Sequence, residues 1–309
     1  MVKQMLEMRL LVKPRPEIAP EIELVFISTS GDQQPDRPLA ESGGKALFIK
    51  EIETALLEKR IDLAVHSAKD LPVQLAPGTL IAAAPLRADP QDVWIGFQNR
   101  TIAELPRQAV VGTSSLRRQA QLLAIRPDLM VQPMRGNIDT RLRKVRDGAF
   151  AGTFLAKAGL DRTELLPAQA VILPLDEFIP AAGQGILAVQ ARQDDMAMRS
   201  AAATINHAPT AAALDFERRV IAALSGNCLA PIGVCATARG NISNQLEGWM
   251  VRAFVATPDG KKMARAALYT QDASAGGLNS LYDLLLTTLK QRGADEILAL
   301  LNNAAPRNV

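Results

Sequence analysis

The stretch DLAVHSAKDLP, residues 62–72, places His66, Ser67, Lys69 and Asp70 within five positions behind a short apolar run. These residue types admit two chemistries. A serine, histidine and aspartate set would supply a nucleophile and its base, but the chain has no G-x-S-x-G elbow. A single carboxylate, Asp70 before Leu-Pro, would instead suit an N–H group or a developing positive charge. A turn aspartate capping the next segment is the plainer alternative. His66, beside an apolar strand, also has an ordinary reading as a hydrogen-bonded structural histidine.

A second set is basic. In AVVGTSSLRR, residues 109–118, Thr113, Ser114 and Ser115 stand where a strand would feed a helix, so their hydroxyls can cap it or donate to an anion. Arg117 and Arg118 then fall in the first helical turn, where the helix dipole disfavours each cation by about 0.3–1 kcal/mol. Either a bound anion offsets this or both arginines are solvated on a surface helix. The arrangement repeats in PMRGNIDTRLRK, with Arg135 at the next strand end and Arg141 in the next helix. Guanidinium groups from adjacent units could therefore converge on one multiply charged ligand, each gripping a carboxylate. Arg143, Lys144 and Arg146 read as a solvated face. The third candidate is Cys228 in LSGNCLAPIG, flanked by Gly226, Asn227 and Pro231. A loop thiol without a CxxC partner is a possible covalent attachment point, while Cys235 in IGVCATA reads as a buried strand residue.

Positioning these groups requires alternating elements. EIELVFIS (21–28) reads as a strand, KALFIKEIETALLEKR (45–60) as a helix with Phe48, Ile52, Ala55 and Leu56 on one face, and IDLAVHS as a buried strand, which is βαβ grammar. A second series starts near Ala109: strand AVV, turn GTSS, helix LRRQAQLLAI, strand LMVQPM, turn RGNID and helix TRLRKVRDG. Crossings between two α/β lobes fall near RADPQD (87–92) and IPAAGQG (179–185). The helix TAAALDFERRVIAALS (210–225) leads through GNCLAPIG into alternating segments around a PDG turn, predicting an antiparallel sheet. A helix over 278–302 completes a small α+β domain.

At 309 residues and 48% hydrophobic composition the chain should fold into two or three domains. A net charge of +3 and 4% aromatic content argue against a nucleic-acid binder. Two cysteines at this spacing require neither an oxidising compartment nor a metal. No signal peptide or apolar run long enough to span a membrane is read, so a cytoplasmic protein is expected.

SGGKALFIKEIE, DLAVHSAKDLP, VGTSSLRRQAQL, RGNIDTRLRK, PAAGQGILAVQAR and GNCLAPIG, in this order, resemble the porphobilinogen deaminase (hydroxymethylbilane synthase) family from about residue 21 to the C-terminal helix. The resemblance implies an α/β fold of two periplasmic-binding-protein-like lobes plus a small α+β C-terminal domain. Their expected bounds are 1–88 with 184–205, 89–183, and 206–309. It implies a dipyrromethane cofactor held covalently by Cys228, with Lys69, Thr113, Ser114, Ser115, Arg117, Arg118, Arg135 and Gly136 around it. Arg141, Arg162 and Gln184 are the implied substrate-binding residues, and Asp70 the catalytic acid. The implied reaction joins four porphobilinogen molecules with loss of ammonia, giving hydroxymethylbilane in haem biosynthesis. A cytoplasmic monomer with no metal, nucleic-acid or membrane partner is expected.

The family's opening strand with a G-T-R-G-S-like turn has no counterpart here, so either an internal Met begins this sequence or a strand is missing. A non-catalytic two-lobed anion or tetrapyrrole binder is the alternative. Ala46, Ala68, Asn227, Lys157 and Asp161 also depart from the family pattern.

Overall fold

The computed structural model describes residues 1–11, 21–27, 49–224, 230–240 and 246–304. In chain order its main elements are α1 (Val2–Leu11), α2 (Lys50–Leu57), β1 (Leu63–Ser67), β2 (Thr79–Ala83), β3 (Asp92–Gly96), β4 (Val110–Gly112), α3 (Leu116–Ile125), β5 (Met130–Gln132), α4 (Ile138–Arg146) and β6 (Gly152–Ala156). There follow α5 (Lys157–Thr163), β7 (Val171–Ile172), β8 (Leu187–Arg192), α6 (Met196–Ala203), α7 (Ala208–Leu224), β9 (Ile232–Gly240), β10 (Leu246–Ala256), β11 (Met263–Thr270), α8 (Ala275–Gln291) and α9 (Ala294–Ala304). They group into two compact units, Met1–Arg87 with Ile186–Leu214, and Ala88–Gly185 with Asp215–Val309.

The first unit holds a three-stranded sheet in the order β1-β8-β2. Both β1 and β2 pair with β8 antiparallel, with Val65 opposite Val189. This corrects the expected βαβ arrangement: the strand that completes the sheet arrives after the second crossing and runs against β1. It also corrects the expectation of a fully buried β1. Only one face is covered, so Ala64 and His66 are buried while Val65 and Ser67 are exposed. Ile49, Ala68, Leu71, Ile186, Ala188 and Leu214 form one cluster in this unit, and Val2 and Leu6 of α1 pack on Val189 and Ile205 in another. Residues 21–27 form no strand, contrary to the apolar pattern of EIELVFIS, and Ser28 lies outside the described residues. A strand needs a ladder partner for its N–H and C=O groups; none pairs with this segment among the described residues, and Leu24, Val25 and Phe26 stand exposed.

In the second unit a five-stranded sheet runs in the order β5-β4-β6-β3-β7. β4 is parallel to β5 and β6, whereas β3 is antiparallel to β6 and β7. The carboxyl ends of β4, β5 and β6 therefore share one edge with the start of β3. Beneath it, Trp94, Val111, Leu122, Phe154 and Phe178 form the core, Phe154 stacking on Phe178 at 4.9 Å.

The same unit contains the antiparallel sheet β11-β10-β9 joined by the PDG hairpin. Leu278, Leu281, Leu285 and Leu289 of α8 are buried at helical spacing. The single helix expected over 278–302 is two, because Gly293 at φ +92° turns the chain between α8 and α9. Among the described residues no helix is long and apolar enough to cross a membrane.

Candidate functional site

Three strand-to-helix turns at the shared edge of the second unit carry the basic residues. After β4, Ser115 caps α3 by accepting from the Arg118 N–H at 3.4 Å, and Ser114 Oγ donates to the Met134 carbonyl at 3.1 Å. Thr113 is buried and its hydroxyl accepts from the Ser115 N–H. After β5, Asn137 caps α4 through the Thr140 N–H. The local chain thus folds as its hydroxyl and amide residues dictate, and each helix start presents arginines.

Those arginines are not a solvated surface pair. Arg117 and Arg118 are 7% and 6% exposed and meet Asp92, the fully buried first residue of β3. Arg118 donates from Nη2 to Asp92 Oδ1 at 2.7 Å and from Nη1 to the Phe154 carbonyl. Arg117 Nη2 lies 2.7 Å from Asp92 Oδ2, and its Nη1 donates to the Ile179 carbonyl. Burial alone would raise the Asp92 carboxyl, but Arg117 and Arg118 outweigh it and hold it well below its ordinary value. The anion that two cations in one helical turn demand is therefore supplied in part from within. Sequence reasoning missed Asp92, which it placed in a crossing segment. The available signal was a lone carboxylate heading the apolar run DVWI, since a charge at the start of a buried strand needs a partner.

Arg135 and Arg141 remain nearer the surface, half-buried. Arg141 donates from Nε to the Gly136 carbonyl at 2.8 Å. Desolvation, followed by the charges of Arg118 and Arg135, pushes its guanidinium below the usual range. Arg141 thus feels the positive charge of Arg118 and Arg135, which a multiply charged anion bound beside it would offset. Arg143 and Arg146 are exposed, and Lys144 donates to the Arg135 carbonyl. Arg162 donates to the Gly185 carbonyl at 2.9 Å, while Lys157 pairs with Asp161 at 2.7 Å. Gly185 lies at φ +85° beside Ala88, where a Cβ would meet a backbone oxygen at 2.4 Å. Gln184 is 1% exposed and spends its amide donors on the Pro90 carbonyl and Asp92.

In the first unit, β1 ends in a short 3-10 turn, Ala68–Asp70. Ala68 and Leu71 are buried and anchor it; Lys69 is half-buried and Asp70 faces solvent. His66 is buried, 2.9 Å from Gln190 Oε1, and burial pushes its imidazole below the usual value. The structural reading of His66 therefore stands. Cys228 lies outside the described residues, as do Phe48 and Ala46. Cys235 is fully buried in β9.

The family model and the curated relatives agree with one another. Residues 1–200 match the family model for porphobilinogen deaminase, dipyromethane cofactor binding domain. The porphobilinogen deaminase of Brevibacillus brevis is 43% identical over 91% of this chain and 88% of its own. That of Ralstonia nicotianae is 42% identical over 93% of this chain and 84% of its own. Likeness to solved structures is weak: the ligand-binding component of an ABC-type import system from Staphylococcus aureus gives a TM-score of 0.38 at 15% identity, over 71% of this chain and 68% of that one.

Proposed function

This chain belongs to the porphobilinogen deaminase family, and from that premise we propose that it condenses four porphobilinogen molecules head to tail, releasing ammonia at each coupling. The product is hydroxymethylbilane, for tetrapyrrole and haem synthesis. The observation that carries the reading at the site is the gathering of Arg117, Arg118, Arg135 and Arg141 in the turns and helix starts that follow the parallel strands β4 and β5. Each porphobilinogen brings an acetate and a propionate, carboxylates of the kind that guanidinium groups grip bidentately.

The cofactor of this family is dipyrromethane, and the residues present suit it: the arginines answer its carboxylates, with Thr113, Ser114, Ser115, Lys69 and Gly136 as further contacts and Cys228 as the covalent anchor. When bound, it supplies the fixed end on which the chain is built. Arg141, Arg162 and Gln184 hold incoming substrate, Gln184 being fixed in place by its bonds to the Pro90 carbonyl and Asp92. Asp70 acts on the reacting ring. Loss of ammonia leaves an electron-poor pyrrole whose nitrogen becomes partly cationic, and an ionised carboxylate stabilises that charge and takes up a proton as the new carbon–carbon bond forms. The division into two lobes and a C-terminal domain, a monomeric state, a cytoplasmic location and the absence of nucleic-acid or membrane partners complete the proposal.

The test is stoichiometric. Incubation with porphobilinogen should release four ammonia molecules per linear tetrapyrrole. Uptake of porphobilinogen with no ammonia would favour a non-catalytic binder.

A further inference from the structure

Asp92 has no assigned part in this chemistry, yet it organises the arginines that do. Its Oδ1 accepts from Arg118 Nε at 3.2 Å, from Arg118 Nη2 at 2.7 Å and from Gln184 Nε2 at 3.0 Å, while Oδ2 faces Arg117. Carbonyls hold the far ends of both guanidinium groups: Phe154 of β6 for Arg118 and Ile179 for Arg117, at 2.8 and 2.7 Å. Ile179 is itself fixed, its N–H donating to Gln121 Oε1 and its carbonyl accepting from Gln121 Nε2. Each planar fork is thus clamped between a carboxylate and a backbone oxygen. Its rotamer freedom is already spent before any ligand arrives.

Two effects of Asp92 on an incoming carboxylate oppose one another. Its charge repels the ligand and halves the net charge of the arginine pair, whereas its hydrogen bonds fix the planes in which the remaining N–H groups point. We propose that Asp92 is a positioning residue for carboxylate capture at Arg117 and Arg118, and that orientation outweighs repulsion. The geometry decides for orientation. Both arginines are buried, so without Asp92 each would turn to find another acceptor instead of waiting for a ligand. The inference rests on the family reading above.

The test uses protein made in a host that cannot synthesise porphobilinogen, so that it starts without pyrrole mass. Porphobilinogen is then added at graded concentrations and the rate of mass gain on the intact chain is followed for the parent, Asp92→Asn and Asp92→Glu. Misfolded molecules reduce the amplitude and leave the concentration dependence unchanged, so the half-saturating concentration reads the folded fraction alone. Asp92→Asn keeps the shape and removes the repelling charge. It should raise half-saturation about tenfold with maximal rate changed less than about threefold. Asp92→Glu, which retains the charge on a longer arm, should fall between the two. Where Asp92→Asn yields no folded protein, Asp92→Glu carries the test, and a rise of about threefold or more is expected. Half-saturation equal to or below the parent's in the folded variant would overturn the proposal. A parent that never gains pyrrole mass would overturn the proposed function, and this inference with it.

Discussion

At the end of β4, Arg117 and Arg118 are 7% and 6% exposed and bonded into the protein, whereas at the end of β1 Asp70 faces solvent from a three-residue turn. The two regions carry charge by different means. The arginines bear their desolvation cost in the folded state, offset by Asp92 and two carbonyls. The acid bears almost none until a ligand covers it. Changes at the arginine site should therefore move stability and ligand capture together, while changes at Asp70 should move turnover alone.

The largest expected effect breaks the buried side of this comparison. Asp92→Ala leaves two buried guanidinium groups without their carboxylate and should destabilise the fold by about 3–5 kcal/mol, read from the urea midpoint. A loss under about 1 kcal/mol would mean that the arginines find other partners at little cost. At the exposed side, Asp70→Asn should lower turnover at least about 100-fold, near 2.7 kcal/mol in barrier, with the melting temperature within about 2 °C of the parent. Activity within about tenfold would remove the acid from the mechanism.

Acid sharpens the contrast further. The Asp92 carboxyl lies below its ordinary value in the folded chain, so the unfolded chain takes up the proton first as pH falls. Its stabilisation is therefore complete above about pH 4 and is lost as pH drops through the folded value. The stability gap between the parent and Asp92→Asn should accordingly narrow below about pH 4 and stay constant from pH 5 to 7. A gap that widens in acid would contradict the ion-pair assignment. The smallest effect serves as the control: Arg143→Gln, on the exposed face of α4, should change stability by less than about 0.5 kcal/mol and leave pyrrole loading intact.

Local rules made much of this legible in the sequence. The run GTSSLRRQAQLLAI becomes turn and helix with Ser115 as its cap, and PDG closes the hairpin between β10 and β11. Both are decided within a few residues. What escaped depends on partners distant in the chain. Asp92 meets Arg118 across 26 positions, and only the fold shows that a carboxylate in a crossing segment is buried between two guanidinium groups. EIELVFI has strand alternation, yet no neighbour pairs with it among the described residues. The break at Gly293 was a local signal overlooked within a long apolar periodicity. For the acid and the cysteine proposed here, Asp70 and Cys228, composition and spacing left the alternatives open, and the resemblance to family motifs supplied the proposal.

The most direct test of the central claim is the intact mass of the purified chain beside its two cysteine variants. The parent should carry an increment of two pyrrole units; Cys235→Ala, altered at a thiol buried in β9, should keep it, and Cys228→Ala should lack it while remaining folded. A parent without the increment, or a Cys228→Ala protein that retains it, would contradict the account.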